Sequence, residues 1–183
     1  TVFSEVLSES DGYIQNMAGK PQGVAMAEKK TNAMRILDSH GITYTEHTYD
    51  YSDGIMDGVS VAGKVGEDPD HVFKTLVTRG ASGNYAVFVI PVTGELDLKK
   101  AARAAGEKSV AMIPVADINK VTGYIRGGCS PVGMKKPYPT FVEERAQLWD
   151  TILVSAGRIG AQVELASDDL LPLCGGQYAD LTV

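Results

Sequence analysis

Histidine and cysteine are scarce in this chain: 183 residues hold three of the first and two of the second. His40, His47 and His71 leave little material for a Ser-His or Cys-His catalytic scheme. Cys129 and Cys174 form no CxxC pair and have no metal-ligand spacing. No residue pattern calls for a metal or a cofactor, and a reducing cytoplasm is the simplest setting. Aromatic residues make up 7% of the chain, so a core has to be built from aliphatic side chains. No apolar run approaches the roughly 20 residues of a membrane-spanning helix, and no membrane partner is expected. Basic residues are outnumbered 17 to 23, for a formal net charge of −6. That balance argues against a broad basic surface that coats nucleic acid, but leaves room for a local basic groove.

What is present suffices for one domain, with 44% hydrophobic residues. Residues 1–26 mix Ser, Gly, Gln and acids without a sustained period, and lack the basic start and apolar stretch of a signal peptide. They read as an N-terminal extension to a domain spanning 27–183. Ala33, Met34, Ile36 and Leu37 form a helical stripe within 27–40, which Gly41 is placed to end. Residues 42–49 alternate as a strand, and 59–65 reads as a short helix. Segments 71–77 and 85–91 flank a hairpin-type connection at 80–84 and predict an antiparallel pair. Asp97 is placed to cap a helix over 98–105, a short strand follows at 109–112, and Pro114 suits the first turn of another helix. Strands are expected at 140–142, 151–154, 162–165 and 178–183, with Ser167 capping a helix over 168–173. Helices and strands mix without regular βαβ alternation. The expected class is α+β, a mixed and largely antiparallel sheet with flanking helices.

One residue breaks its local pattern. Lys74 lies in a run that otherwise reads as a buried strand, on the same face as Val72 and Leu76. An ammonium on an apolar face is costly unless an anion or an acceptor meets it, so Lys74 hints at a site for a negatively charged ligand. The structural alternative is an edge-strand lysine that reaches water, or one held in an ion pair.

Two loops are rich in small residues. The first, 123–136, carries Gly127, Gly128, Ser130, Pro131 and Gly133, with Arg126, Lys135 and Lys136 at its flanks. Its glycines let main-chain amides approach a ligand, and Ser130 adds a hydroxyl. It is not a nucleotide P-loop: Gly128 and Gly133 have the spacing, but Met134 stands where that motif needs lysine. Cys129 reads as a small buried thiol rather than a nucleophile, since no histidine is near it in sequence. The second loop, 154–160, carries Ser155, Gly157 and Arg158. Each loop taken alone is also a plausible surface turn. Together with Lys74 they offer amides, hydroxyls and a cation, which suits polarising a carbonyl and holding a phosphate.

Phe73-Lys74-Thr75-Leu76, the Leu96 to Ala102 segment, Thr122-Gly123-Tyr124, the Gly127 to Lys136 segment and Val154-Ser155-Ala156-Gly157 occur in that order. In order and spacing the chain resembles the YbaK/EbsC family of aminoacyl-tRNA deacylases, related to the editing domain inserted in bacterial prolyl-tRNA synthetases. The resemblance covers roughly 29–183 and implies a mixed sheet curved towards a barrel. It implies hydrolysis of the ester joining a wrong amino acid to a tRNA 3′ end, with cysteine on tRNA(Pro) the expected substrate. By the same resemblance, Lys74 would hold the phosphate near the terminal adenosine. Gly127 and Gly128 would shape the pocket and donate amides, Ser155 and Gly157 would form its second wall, and Tyr49 falls where relatives carry a pocket tyrosine. Ser130 and Arg158 complete the expected substrate contacts. Ala156 departs from a second glycine common in relatives. A prolyl-tRNA synthetase partner would supply recognition of the tRNA body, with Lys99, Lys100, Arg103, Lys135 and Lys136 assisting at the acceptor end. Three rival readings stay open: an Ala-tRNA(Pro)-type deacylase, a non-catalytic module that binds a charged tRNA end or a nucleotide, and an enzyme in which Lys74 forms a Schiff base.

Overall fold

Two sheets share a core, and among the described residues one backbone bridge links them. A computed structural model of the chain describes residues 29–183. The expected extension over 1–26 lies outside the described residues, and the architecture below is that of the unit Thr31–Val183. The smaller sheet contains β1 (Thr45–Thr48), β6 (Ile152–Ser155) and β7 (Ala161–Leu165), in the order β1-β7-β6 and antiparallel throughout. The larger contains β2 (Phe73–Gly80), β3 (Tyr85–Pro91), β4 (Val110–Met112), β5 (Thr140–Glu143) and β8 (Gly176–Ala179), in the order β4-β2-β3-β5-β8. Here β2 pairs antiparallel with β3 and β4, while β3–β5 and β5–β8 are parallel. An isolated parallel bridge, Val72 to Leu153, joins the two sheets. The fold class is the expected mixed α/β arrangement, but the sheets do not close into a barrel.

Five helices flank the sheets: α1 (Asn32–Ser39), α2 (Gly58–Val65), α3 (Leu98–Ala105), α4 (Ile118–Thr122) and α5 (Ser167–Cys174). The first starts at Thr31, whose side chain accepts from the Met34 amide. The third starts at Asp97, which accepts from the Lys99 and Lys100 amides, as its position in the sequence predicts. Ser167 departs from expectation. The cap position of α5 is Ala166, and Ser167 is its first helical residue, with its hydroxyl 2.6 Å from the Tyr178 hydroxyl. The last expected strand also shifts, to Gly176–Ala179, and residue Thr182 forms only a lone bridge to Leu96.

The run 85–91 is continuously apolar because both faces of β3 are covered. Val89 joins Met34, Leu37, Phe73, Val142, Ile152 and Leu165 in one core. Phe88 and Ile90 point the other way, into a second core with Leu96, Ala101, Phe141 and Leu181. Each such side chain contributes on the order of 1.5–3 kcal/mol by leaving water. The fully buried core places the start of β2 beside the start of β6, and that placement builds the site.

Candidate functional site

From the Val72–Leu153 bridge the two strands run in parallel and then separate. Two residues further along each stand Lys74 and Ser155. On its other side the start of β2 is paired with β3, Lys74 opposite Ile90, whereas β4 covers only the far end of β2, from Thr78. The fork between β2 and β6 is thus left open, and a cavity of about 310 Å³ fills it.

The cavity gathers residues from five parts of the chain: Tyr49 after β1, Gly58 and Val61 of α2, Lys74 to Leu76 of β2, Arg126, Gly127 and Cys129 of the first loop, and Ser155 and Gln162 of β6 and β7. Among the described residues no hydrogen bond or ion pair reaches the Lys74 ammonium or the Arg126 guanidinium. Neither a carboxylate nor an imidazole is among the lining residues. Cys129 is there, but burial pushes its thiol up to about 11, leaving it protonated at neutral pH. Ser155 Oγ accepts from the Gly157 amide at 3.2 Å, which fixes the hydroxyl without a base beside it.

Lys74, Gly127, Ser155 and Tyr49 come together at the cavity. Tyr49 is held there by its amide, which donates to the Gly160 carbonyl at 2.9 Å. Gly127, at φ +85°, has the left-handed backbone that favours glycine, with the Ile159 and Met56 side chains nearest to where a Cβ would stand. Four other expected site residues sit elsewhere. Ser130 is fully buried, and its hydroxyl accepts from the Val132 amide. Gly128 is buried against the backbone of Arg158 and Ile159, so its contribution is to let the two loops touch. Gly157, at φ +97°, faces the Tyr124 ring. Arg158 is ion-paired with Glu46 at 3.2 Å. Ala156 is fully buried in the core, so its methyl group does not reach the cavity. Of the expected acceptor-end cations, Lys100 is paired with Asp180 at 3.0 Å.

The sequence reading missed two lining residues. Thr75 Oγ1 and Gln162 Oε1 are buried without a hydrogen-bond partner among the described residues. Gln162 alternates with Ala161 and Val163 and shares a face with Glu164, a pattern that reads as a solvated face. In the structure that face looks into the cavity. Behind it, Glu164 lies 2.8 Å from His47 Nε2 and accepts from Thr151 at 2.6 Å, so His47 has the structural role its strand position suggests.

The profile of the aminoacyl-tRNA editing domain matches residues 54–173, which include Lys74, both loops and Gln162. The chain belongs to this family. The editing domain is 47% identical over 155 residues to a protein of Enterococcus faecalis (strain ATCC 700802 / V583) named as a candidate Cys-tRNA(Pro)/Cys-tRNA(Cys) deacylase, EbsC; the match covers 85% of this chain and 94% of the relative. A solved structure described as a candidate trans-editing enzyme for prolyl-tRNA synthetase is 25% identical, with a TM-score of 0.71 over 85% of this chain and 99% of the other. A further structure, hypothetical protein APE2540, has a TM-score of 0.74 at 21% identity, over 82% of this chain and 98% of the other, and shows the fold alone. Among the described residues, no helix of the editing domain is long and apolar enough to cross a membrane.

Proposed function

We propose that the chain is a free-standing editing hydrolase that removes a wrong amino acid from tRNA, with Cys-tRNA(Pro) as substrate. The observation that carries this reading is an unpaired cation, Lys74, in a fork whose walls hold no general base. A site that generates its own nucleophile needs a base. A site whose substrate brings one needs only orientation and electrostatics. In Cys-tRNA the substrate supplies a thiol. Its sulfur attacks the ester carbonyl carbon, the C–S bond forms, and the bond from carbonyl carbon to ribose oxygen breaks. The thiol proton passes to that ribose oxygen, and the cysteine leaves as a cyclic thioester that water later opens.

In this reading Lys74 holds the phosphate beside the terminal adenosine, Gly127 and Ser155 shape the place of the reacting carbonyl, and Tyr49 closes the pocket. Arg126, exposed at the rim, adds a second donor to the acceptor end. The name of the Enterococcus relative and that of the trans-editing structure favour the same substrate class. A net charge of −6 leaves few contacts for the tRNA body, so a prolyl-tRNA synthetase partner provides them, in the cytoplasm where both reside.

The test is deacylation of Cys-tRNA(Pro), Ala-tRNA(Pro) and Cys-tRNA(Cys) by wild type and Lys74→Ala. Release of cysteine, lost in the variant, is the expected result. Cleavage of both cysteinyl esters would mean that the isolated domain reads the amino acid rather than the tRNA. Binding without release from any of the three would overturn the reading and leave a non-catalytic module.

A further inference from the structure

We propose that Gln162 recognises the α-ammonium group of the aminoacyl ester. This rests on reading the fork as an aminoacyl-tRNA site, and it names a residue and a contact that the reading does not contain.

Gln162 is 7% exposed, and its Oε1 is buried without a partner among the described residues. A buried amide oxygen left unpaired costs stability, and such an atom calls for an explanation. Gln162 is placed for one. It stands directly opposite Ser155 in the β6–β7 ladder and opposite His47 in the β1–β7 ladder, so the backbone fixes it on both sides. Directly opposed side chains lie on one face about 4.5–5.5 Å apart at Cβ. Gln162 and Ser155 therefore flank the same small volume, and both line the cavity.

The chemistry of a partner for this oxygen follows from what the walls already offer. Lys74 and Arg126 are donors only, suited to phosphate and carbonyl oxygens. The unmet group at Gln162 is an acceptor. An aminoacyl ester ends in an α-amino group with a reference pKa of about 7.7–8.0, protonated at neutral pH, which offers three donors and no acceptor. Thr75 Oγ1, the second partnerless atom in the wall, can accept as well. The functional consequence is discrimination: an ester whose nitrogen is acylated, as in peptidyl-tRNA, lacks both the charge and two of the donors, and is spared.

The experiment compares Cys-tRNA(Pro) with N-acetyl-Cys-tRNA(Pro), using wild type, Gln162→Met and Gln162→Glu. A hydrogen bond to a charged group predicts that Gln162→Met loses about 10- to 100-fold in kcat/KM on the free amine and little on the acetylated ester. Gln162→Glu, which keeps an acceptor, keeps the preference for the amine. An equal loss on both esters, or none on either, overturns the proposal, since a merely structural role would not depend on the amine. A binding arm separates this outcome from failure of the editing reading. Wild type is titrated with 3′-cysteinylamino-3′-deoxyadenosine and with its deamino counterpart. If no mischarged tRNA is hydrolysed, the editing reading falls. If the two nucleosides bind equally well, the ammonium contact falls, whatever turnover shows.

Discussion

Gly128 is backed directly against Arg158: a Cβ at Gly128 would lie 2.9 Å from the Arg158 carbonyl carbon and 2.9 Å from the Ile159 nitrogen. Backbone on both sides of that contact leaves no flexible side chain to move aside. Gly128→Ala is therefore expected to cost about 1–3 kcal/mol in a denaturant titration and to reduce deacylation by prising the two loops apart. Gly63 is the control. It lies inside α2 with nothing within 4 Å of an added Cβ, and Gly63→Ala should stabilise by about 0.5–1 kcal/mol.

Lys74 separates activity from stability. With no ion pair to lose, Lys74→Met should leave the unfolding midpoint unchanged or raise it, while kcat/KM falls about 100-fold or more. Removing one phosphate contact should also lower the salt slope of tRNA binding by roughly one. A variant that unfolds more readily and binds tRNA as before would make Lys74 a structural residue.

Cys129 and Cys174 both have thiols raised to about 11 by burial. Alkylation of the native protein should be slow at pH 7–8 and accelerate as pH climbs towards that value. Cys129→Ala should keep deacylation within a few-fold of wild type. A collapse of activity in that variant, with folding intact, would reinstate the thiol as a nucleophile.

Glu164 supplies a pH test. The hydrogen bond from Thr151, then that from His47, holds its carboxyl below its ordinary value of 4.5. A depressed carboxylate contributes stability that is present above its unfolded pKa and is lost as pH falls through the folded one. The difference in Tm between wild type and Glu164→Gln should therefore be constant above about pH 5 and shrink as pH drops below 4.5. A difference that grows in acid would contradict this assignment.

Much of this was legible in the chain because the signals are local. Asp97 caps α3 through amides two and three residues away, which is a short-range event. The β2–β3 hairpin follows from a short polar turn between two apolar runs. Lys74 could be singled out because side-chain alternation puts it among apolar neighbours. Ser130 and Gln162 went the other way. A serine beside a flexible glycine loop looks like a ligand contact, yet the Val132 amide two residues on claims its hydroxyl. A glutamine alternating with alanine and valine looks solvated, yet the strand face it occupies is covered by the rest of the fold. The parallel pairs of β5 with β3 and β8 have no local signature at all.

The sequence by itself determined which residues carry chemistry. A lone strand lysine, two small-residue loops and a shortage of histidine already restrict the site to electrostatics and orientation, because side-chain type sets what a group can donate or accept. Only the tertiary structure decided which of those groups share a space. The Val72–Leu153 bridge sets two strands side by side across 81 residues of chain and then lets them part. Whether Ser155 meets Lys74, whether Arg158 is paired, and whether Gln162 has a partner all depend on that placement. Each is a contact between segments far apart in sequence, formed by burial of a common core rather than by any preference of the segments themselves.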